Sequence, residues 1–166
     1  MNEHDTVVHE PVFTGDVLGK LESLYPKYPD KRSLLLPALW LVQEARGWIS
    51  PDAVAEVAAK LDLTPAYVRG VVTFYTMYHT HPVGRHFIQV CTTSPCGMCG
   101  AGDVVSALLE HTGCGDLGAT SPDGRFTVSE VECLGACGFV TPIIVDDDFI
   151  DSVTPEMVPA ILARYS

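Results

Sequence analysis

The chain has 166 residues, of which 47% are hydrophobic and 19% charged, a composition typical of a globular protein. No apolar run approaches the roughly 18 residues that a membrane-spanning helix needs, so we expect no direct membrane contact. The formal net charge is −11 and is concentrated in residues 86–166, where two Lys/Arg stand against eleven Asp/Glu. This acidic half would repel a phosphate backbone, so no nucleic-acid partner is expected.

The first residues of the chain are acidic, whereas a signal or transit peptide would carry basic residues there. No apolar segment of the kind that follows the basic residues of a signal peptide is present near them. We therefore expect the chain to stay in the compartment that makes it, which we take to be the cytoplasm of a bacterium.

Proline and glycine interrupt the chain at residues 79–84, and the residue pattern differs on the two sides of this break. Residues 14–82 carry apolar residues at helical spacing and are predicted to form a helical bundle. Residues 1–13 are predicted to form a flexible N-terminus. Residues 83–166 alternate between strand and helix patterns, so the predicted fold class is α+β, with two domains.

Hydroxyl side chains predict where several helices of the bundle begin. Three of them are expected to cap helices: Ser33, Ser50 and Thr64. The last two are each followed by proline, which suits the first helical position, and they predict helices over 51–61 and 65–78. The first is expected to open a helix that ends at Gly47, after an earlier helix stopped by Tyr25-Pro26.

The second domain begins with a predicted buried strand, Phe87–Val90, which places Cys91 at its end. Further elements are predicted along the chain: a Cys/Gly/Pro loop, a helix near 101–111, a strand over 125–132, a hairpin over 143–150 and a helix after Thr154-Pro155. This order, β-α-β-β-β-α, predicts a small α+β or thioredoxin-like layer. Thr141-Pro142 lies where such folds often have a cis proline, so we predict a cis bond there.

All six cysteines lie in the acidic half: Cys91, Cys96, Cys99, Cys114, Cys133 and Cys137. Such clustering in a cytoplasmic chain indicates metal or redox chemistry before disulfides. Two pairs each follow a predicted strand, Cys91-x4-Cys96 and Cys133-x3-Cys137. Two strand-end loops of this kind can supply the four thiolates of a 2Fe-2S cluster, and the glycines around them let backbone N–H groups approach sulfur.

Other assignments of the same cysteines remain open at this stage. Cys91, Cys96 and Cys99 also match the spacing of plant-type ferredoxins, with a later cysteine as the fourth ligand. A structural zinc site is a second alternative. Under the paired assignment Cys99 and Cys114 are spare thiols. Residues 50–78 also have the order of a helix-turn-helix reader, although its second helix carries a single basic residue, Arg69.

Several stretches together resemble the small 2Fe-2S subunit, the 24-kDa-type subunit, of respiratory complex I. They are Leu35–Glu44, Gly47-Trp48-Ile49, Val72–Tyr75, Val90–Cys96 and Glu132–Gly138. The resemblance implies an N-terminal helical bundle followed by a thioredoxin-like 2Fe-2S ferredoxin domain. It also implies that the bundle docks onto a larger subunit, which binds FMN and NADH, and that the four cluster ligands are Cys91, Cys96, Cys133 and Cys137.

The function implied by this resemblance is electron transfer within NADH:quinone oxidoreductase, in the peripheral arm of a membrane-associated complex. The chain has no G-x-G-x-x-G after a strand and no P-loop, so FMN and NADH are expected on the partner and no catalytic residue is expected here. The isolated chain would then be an electron carrier that exchanges single electrons with FMN. The same module in an NAD-linked hydrogenase or formate dehydrogenase is an alternative, and a DNA-binding iron-sulfur sensor is a more distant one.

Overall fold

The structure, a computed structural model, describes residues 10–165. The chain divides into two compact units, one that ends at Pro82 and one that begins at Val83. Each unit is organised around its own cluster of buried apolar side chains. Within residues 10–165 no helix is both long enough and apolar enough to cross a membrane. The predicted combination of a helical unit with a thioredoxin-like α+β unit is confirmed.

The first unit is helical throughout its described part. Its α-helices in residues 10–82 are α1 (Gly15–Leu24), α2 (Leu35–Arg46), α3 (Pro51–Leu61) and α4 (Pro65–Phe74), with 3-10 turns at Tyr25–Lys27 and Arg32–Leu34. Fully buried leucine and valine side chains from all four helices fill its core, among them Leu21, Leu39, Val42, Val57, Leu61 and Val68. The apolar residues at helical spacing therefore mark the sides of the helices that face this core.

Two of the predicted caps are confirmed. The Ser50 hydroxyl accepts a hydrogen bond from the backbone N–H of Ala53 at 3.2 Å, and α3 spans the predicted residues. The Thr64 hydroxyl accepts one from the N–H of Tyr67 at 3.3 Å. Each bond satisfies a backbone donor that the first turn of a helix leaves without a partner.

Ser33, the predicted cap of α2, does not cap that helix. It lies inside the 3-10 turn that precedes α2, and both its N–H and its hydroxyl donate to the Asp30 carboxylate at 2.8 Å. The hydroxyl is thus engaged with a residue three positions earlier, so α2 begins at Leu35 without a side-chain cap. The predicted end is confirmed, because Gly47 adopts a left-handed conformation with φ of 78° and its N–H bonds to the Gln43 carbonyl.

Helix α4 ends at Phe74 rather than at residue 78. Tyr75 takes an extended conformation, with φ of −90° and ψ of 112°. The chain then turns back on the bundle, so that Tyr78 is buried and its hydroxyl donates to the backbone carbonyl of Leu36 at 2.9 Å. The apolar residues after Phe74 pack through this turn, which explains why they resemble a continued helix in the sequence.

The predicted flexible N-terminus lies mostly outside the described residues, which begin at residue 10. The prediction is wrong for the last two residues of this segment, Val12 and Phe13, because they are buried in the helical core. Their backbone N–H groups donate to the two carboxylate oxygens of Glu56 at 2.9 and 2.8 Å. A carboxylate more than 40 positions away supplies these bonds, so no local pattern in the sequence reveals them.

The second unit is built around a four-stranded sheet within residues 83–165. Its elements are β1 (His86–Cys91), α5 (Ser94–Met98), α6 (Ala101–Thr112), β2 (Phe126–Val131), β3 (Ile143–Val145), β4 (Asp148–Ile150) and α7 (Val158–Leu162), with 3-10 turns at Pro155–Met157 and Ala163–Tyr165. The predicted order of strands and helices is confirmed, with one helix more than was predicted. The short helix α5 replaces part of the predicted loop between β1 and α6.

The strand order in the sheet is β2-β1-β3-β4. Strands β1 and β2 are parallel, with Cys91 paired with Val131, whereas β1–β3 and β3–β4 are antiparallel. The carboxyl ends of β1 and β2 therefore meet at one edge of the sheet. At the opposite end Gly84 approaches β2 so closely that an added Cβ would lie 2.6 Å from the carbonyl carbon of Phe126, which requires glycine there.

Two details at the end of the chain differ from the sequence predictions. The cis peptide bond lies between Val140 and Thr141, one bond before the predicted Thr141-Pro142 bond. Thr154 makes no side-chain cap, and the segment after it begins as a 3-10 turn before α7. Helix α7 is only five residues long, and Pro159 occupies one of its first two positions, where proline is tolerated.

The hydroxyl of Tyr78 gives a test of the turn that follows α4. We expect Tyr78→Phe to lower the free energy of unfolding by about 0.5–1.5 kcal/mol, because it removes the hydrogen bond from the Tyr78 hydroxyl to the Leu36 carbonyl. Tyr67→Phe is the matched control, since Tyr67 is exposed and its hydroxyl accepts from Arg32 at the surface. Urea unfolding followed by circular dichroism measures both, and equal losses in the two variants would contradict the assignment.

The difference in unfolding free energy between the wild type and Tyr78→Phe should depend on pH. Burial raises the pKa of Tyr78 to about 12, with a smaller contribution from Tyr75. The folded chain therefore keeps this proton at a higher pH than the unfolded chain, whose tyrosines titrate near 10. We expect the advantage of the wild type over Tyr78→Phe to be constant below pH 9 and to shrink as the pH rises from 10 towards 12.

Candidate metal centre

The two predicted cysteine pairs lie at the edge of the sheet where β1 and β2 end. Cys91 is the last residue of β1, and Cys96 lies in α5 directly after it; both are buried, at 3% and 2% exposure. Cys133 and Cys137 lie in the loop that leaves β2, and both are exposed. The parallel pairing of β1 with β2 therefore brings both cysteine-bearing loops to one place.

Backbone groups connect the two loops around Cys91. The thiol of Cys91 lies 3.8 Å from the Thr93 hydroxyl, and Leu134, from the loop after β2, packs against the buried group that includes Cys91. Its thiol also lies 3.9 Å from the carbonyl oxygen of Glu132. In the same loop the N–H of Gly135 donates to the Cys133 sulfur at 3.3 Å. Backbone donors directed at cysteine sulfur are what a thiolate ligand requires, since they stabilise its negative charge.

The two buried thiols are electrostatically different. Burial raises the pKa of the Cys96 thiol to about 11, and its hydrogen bond with Cys91 adds to this. The remaining increase comes from nearby sulfurs: those of Cys91, Cys137 and Cys133. Burial would also raise the pKa of Cys91, but the backbone donors of Leu134 and Thr93 outweigh it and lower that pKa below its ordinary value. All four sulfurs thus share one electrostatic environment.

The four paired cysteines of the described chain are not gathered into a site for a single metal ion. Among residues 10–165 no three His, Cys, Asp or Glu side chains are grouped closely enough to hold one metal ion. A 2Fe-2S cluster instead takes its four thiolates over two irons. Gly135 supports this use of the loop, because its φ of 73° is a left-handed conformation that glycine adopts without strain.

The two remaining cysteines differ in their surroundings. Cys114 is buried in the apolar core of the second unit, where its thiol donates to the Phe126 carbonyl at 3.4 Å. That position disfavours it as the fourth ligand of a plant-type arrangement. Cys99 is exposed at the end of α5, and its N–H bonds to the Cys96 carbonyl at 3.0 Å.

Two exposed apolar side chains flank the cysteines and were not identified from the sequence. Met98, two residues after Cys96, is 88% exposed, and Phe139, two residues after Cys137, is 59% exposed. Large apolar side chains exposed beside a site favour contact with a protein partner. Met98 lies in helix α5, whose start could have been predicted from Pro95. This proline occupies one of the first two positions of the helix, where proline is favoured.

Two parallel strands carry the cysteine pairs at their carboxyl ends, and helices cover the mixed sheet to which these strands belong. This combination defines an iron-sulfur protein of thioredoxin-like architecture. The comparison with known families agrees with this class. Residues 21–166 match the family of thioredoxin-like [2Fe-2S] ferredoxins, and the chain belongs to that family. Its cofactor is accordingly a 2Fe-2S cluster.

Two relatives and one solved structure illustrate the similarity. The chain is 40% identical over 154 residues to the mitochondrial NADH dehydrogenase [ubiquinone] flavoprotein 2 of Dictyostelium discoideum, covering 90% of this chain and 62% of that protein. It is 38% identical over 154 residues to NADH-quinone oxidoreductase subunit 2 of Thermus thermophilus, covering 91% and 84%. An NAD+-reducing [NiFe]-hydrogenase in its H2-reduced state shares the fold, with a TM-score of 0.67 and 20% identity over 80% of this chain and 22% of that one.

Proposed function

We propose that this chain is the electron-transfer subunit of an NADH-oxidising complex and that it holds its cluster on four cysteines. These are Cys91, Cys96, Cys133 and Cys137. The observation that carries the proposal is the parallel register of the two strands, which pairs Cys91 with Val131 and so places Cys133 two positions beyond the residue opposite Cys91. It ties the two pairs together in a chain whose family carries a 2Fe-2S cluster.

The buried cysteine pair and the exposed cysteine pair would hold the cluster from two different sides. When bound, the cluster supplies a one-electron redox centre. Cys91 and Cys96 would hold it from the buried side, where the backbone donors of Leu134 and Thr93 favour the thiolate of Cys91. Cys133 and Cys137 would hold it from the exposed side. The exposed pair then gives electrons the shortest route to a partner, because little protein covers it.

The partner we propose is a subunit that binds FMN and oxidises NADH. NADH releases two electrons as a hydride, so a flavin must divide them before a one-electron centre can accept either. The sequence carries no dinucleotide-binding fingerprint, which supports placing both NADH and FMN on another chain. Met98 and Phe139, exposed beside the cysteines, suit an apolar contact with that subunit.

Among the complexes that use NAD, we favour NADH:quinone oxidoreductase. The two relatives at 38–40% identity are named as parts of NADH dehydrogenase or NADH-quinone oxidoreductase. The NAD+-reducing hydrogenase is similar at 20% identity, which speaks for a shared fold only. The chain would then belong to the peripheral arm of a membrane-associated complex, on the cytoplasmic side of a bacterial membrane.

Single Cys→Ser variants test the proposed ligand set. We expect replacement of any one of the four proposed ligands to abolish or strongly alter the visible absorbance and the EPR signal of the reduced cluster, since a hydroxyl is a poor substitute for a thiolate. Cys99→Ser and Cys114→Ser are the controls and should retain both signals. Loss of the cluster in Cys99→Ser together with its survival in Cys137→Ser would contradict the assignment and favour the plant-type spacing.

Reduction by NADH tests the proposed partner. We expect NADH alone to leave the cluster of the isolated chain oxidised, because the sequence carries no dinucleotide-binding fingerprint. Adding the FMN-binding, NADH-oxidising subunit that co-purifies with the native protein should reduce the cluster, measured as bleaching of its visible absorbance. Direct reduction by NADH would contradict the proposal, and so would the absence of reduction with the flavin subunit present. Co-purifying quinone-reducing or hydrogenase subunits distinguish the two complexes.

A further inference from the structure

The hydroxyl of Thr141 is buried without a hydrogen-bond partner. Thr141 is 2% exposed, and its Oγ1 has no partner within residues 10–165. A buried hydroxyl that makes no hydrogen bond costs about 1–3 kcal/mol, so such groups are uncommon in folded proteins. The position therefore indicates an acceptor that the polypeptide itself does not provide.

The other buried hydroxyl side chains of the described chain are all satisfied. Thr127 bonds with Thr120 at 2.9 Å and accepts from the Gly84 N–H at 2.8 Å. Thr112 donates to the Leu108 carbonyl at 2.7 Å. The last two are Ser50, which caps α3, and Ser121, which donates to Asp123 at 2.6 Å. Among the buried Ser and Thr side chains of the described residues, only Thr141 has a hydroxyl without a hydrogen-bond partner.

Thr141 lies between two residues that contact the cysteine site. Val140 before it packs against the buried cluster formed by Cys91, Cys96 and Ala101. The carbonyl of Pro142 after it accepts a hydrogen bond from the N–H of Cys91 at 3.3 Å. The backbone of Thr141 is also fixed, because its carbonyl accepts from the N–H of Val153 at 2.9 Å. The unpartnered hydroxyl therefore belongs to a segment whose residues on both sides contact the buried cysteines.

We propose that the Thr141 hydroxyl donates a hydrogen bond to a sulfide of the bound cluster and thereby raises the reduction potential. Thr141 is on this account a positioning residue that favours the reduced state. Reduction adds negative charge to the sulfurs, so a donor to sulfur stabilises the reduced form more than the oxidised form. The proposal rests on the proposed ligand set, because it requires the cluster to lie at these cysteines.

Potentiometric titrations followed by EPR test this on the cluster-loaded chain. Thr141→Val keeps the shape of the side chain and removes the hydroxyl, and we expect it to lower the equilibrium constant for one-electron reduction about tenfold, which corresponds to ~59 mV. Thr141→Ser keeps a hydroxyl and should restore most of the wild-type potential. Thr112→Val is the matched control, because it removes a buried hydroxyl that is satisfied within α6, and should leave the potential unchanged.

The cluster-free protein provides a second readout that separates this role from a structural one. We expect Thr141→Val not to destabilise the cluster-free chain in urea unfolding, since the hydroxyl has no partner there, whereas Thr112→Val should destabilise it. An unchanged potential in Thr141→Val, or a cluster-free chain destabilised by it, would overturn the proposal. If Thr141→Val prevents cluster loading, Thr141→Ala replaces it in the titration, because it removes the same hydroxyl and leaves a smaller side chain.

The proposed ligand set and the proposed role of Thr141 can be shown to be wrong independently of each other. If the ligand set is wrong, Cys137→Ser retains its EPR signal, whatever the behaviour of Thr141. If only the role of Thr141 is wrong, the four ligand variants lose their signal as expected, while Thr141→Val titrates at the wild-type potential.

Discussion

The parallel pairing of β1 with β2 determines the geometry on which the site depends. In an antiparallel pair the two strands would end at opposite edges of the sheet, and the cysteine loops would be separated by the length of a strand. The observed register pairs Cys91 with Val131, so Cys133 follows two positions beyond the residue opposite Cys91. Gly84 permits this pairing at the other end, because a side chain there would collide with the backbone of Phe126.

The site is asymmetric, and its asymmetry suits a carrier of electrons. One cysteine pair is buried and held by backbone donors, whereas the other lies in an exposed glycine-containing loop. A buried side excludes water and fixes the ligands, and an exposed side brings the redox centre near a partner. The exposed apolar residues Met98 and Phe139 each follow a cysteine of the site by two positions. The acidic balance of residues 86–166 adds a negative field around it.

Local chemistry made much of the fold predictable from the sequence. Ser50 and Thr64 cap their helices as expected, and Gly47 ends α2, because these residues satisfy backbone groups within a few positions of themselves. The features that were missed depend on distant contacts. Glu56 binds the backbone at Val12 and Phe13, and Tyr78 reaches Leu36, more than 40 positions away in each case.

The candidate site was predictable to a similar extent. The spacing of the cysteines after two strands predicted the two pairs, because thiolates at strand ends follow from the period of the strands. The short helix α5 and the buried hydroxyl of Thr141 were not identified, although both belong to segments next to the buried cysteines. Helix α5 is too short to show periodicity. An unsatisfied hydroxyl becomes visible only once the three-dimensional neighbours of Thr141 are known.

The most direct test of the central claim, one 2Fe-2S cluster held by two cysteine pairs, is a count of iron and sulfide in a chain that retains only those four cysteines. The Cys99→Ser, Cys114→Ser double variant is such a chain. Iron and acid-labile sulfide analysis, together with native mass spectrometry, should find two iron and two sulfide per chain, as in the wild type. A double variant that binds no iron, or that holds a single metal ion without sulfide, would contradict the account.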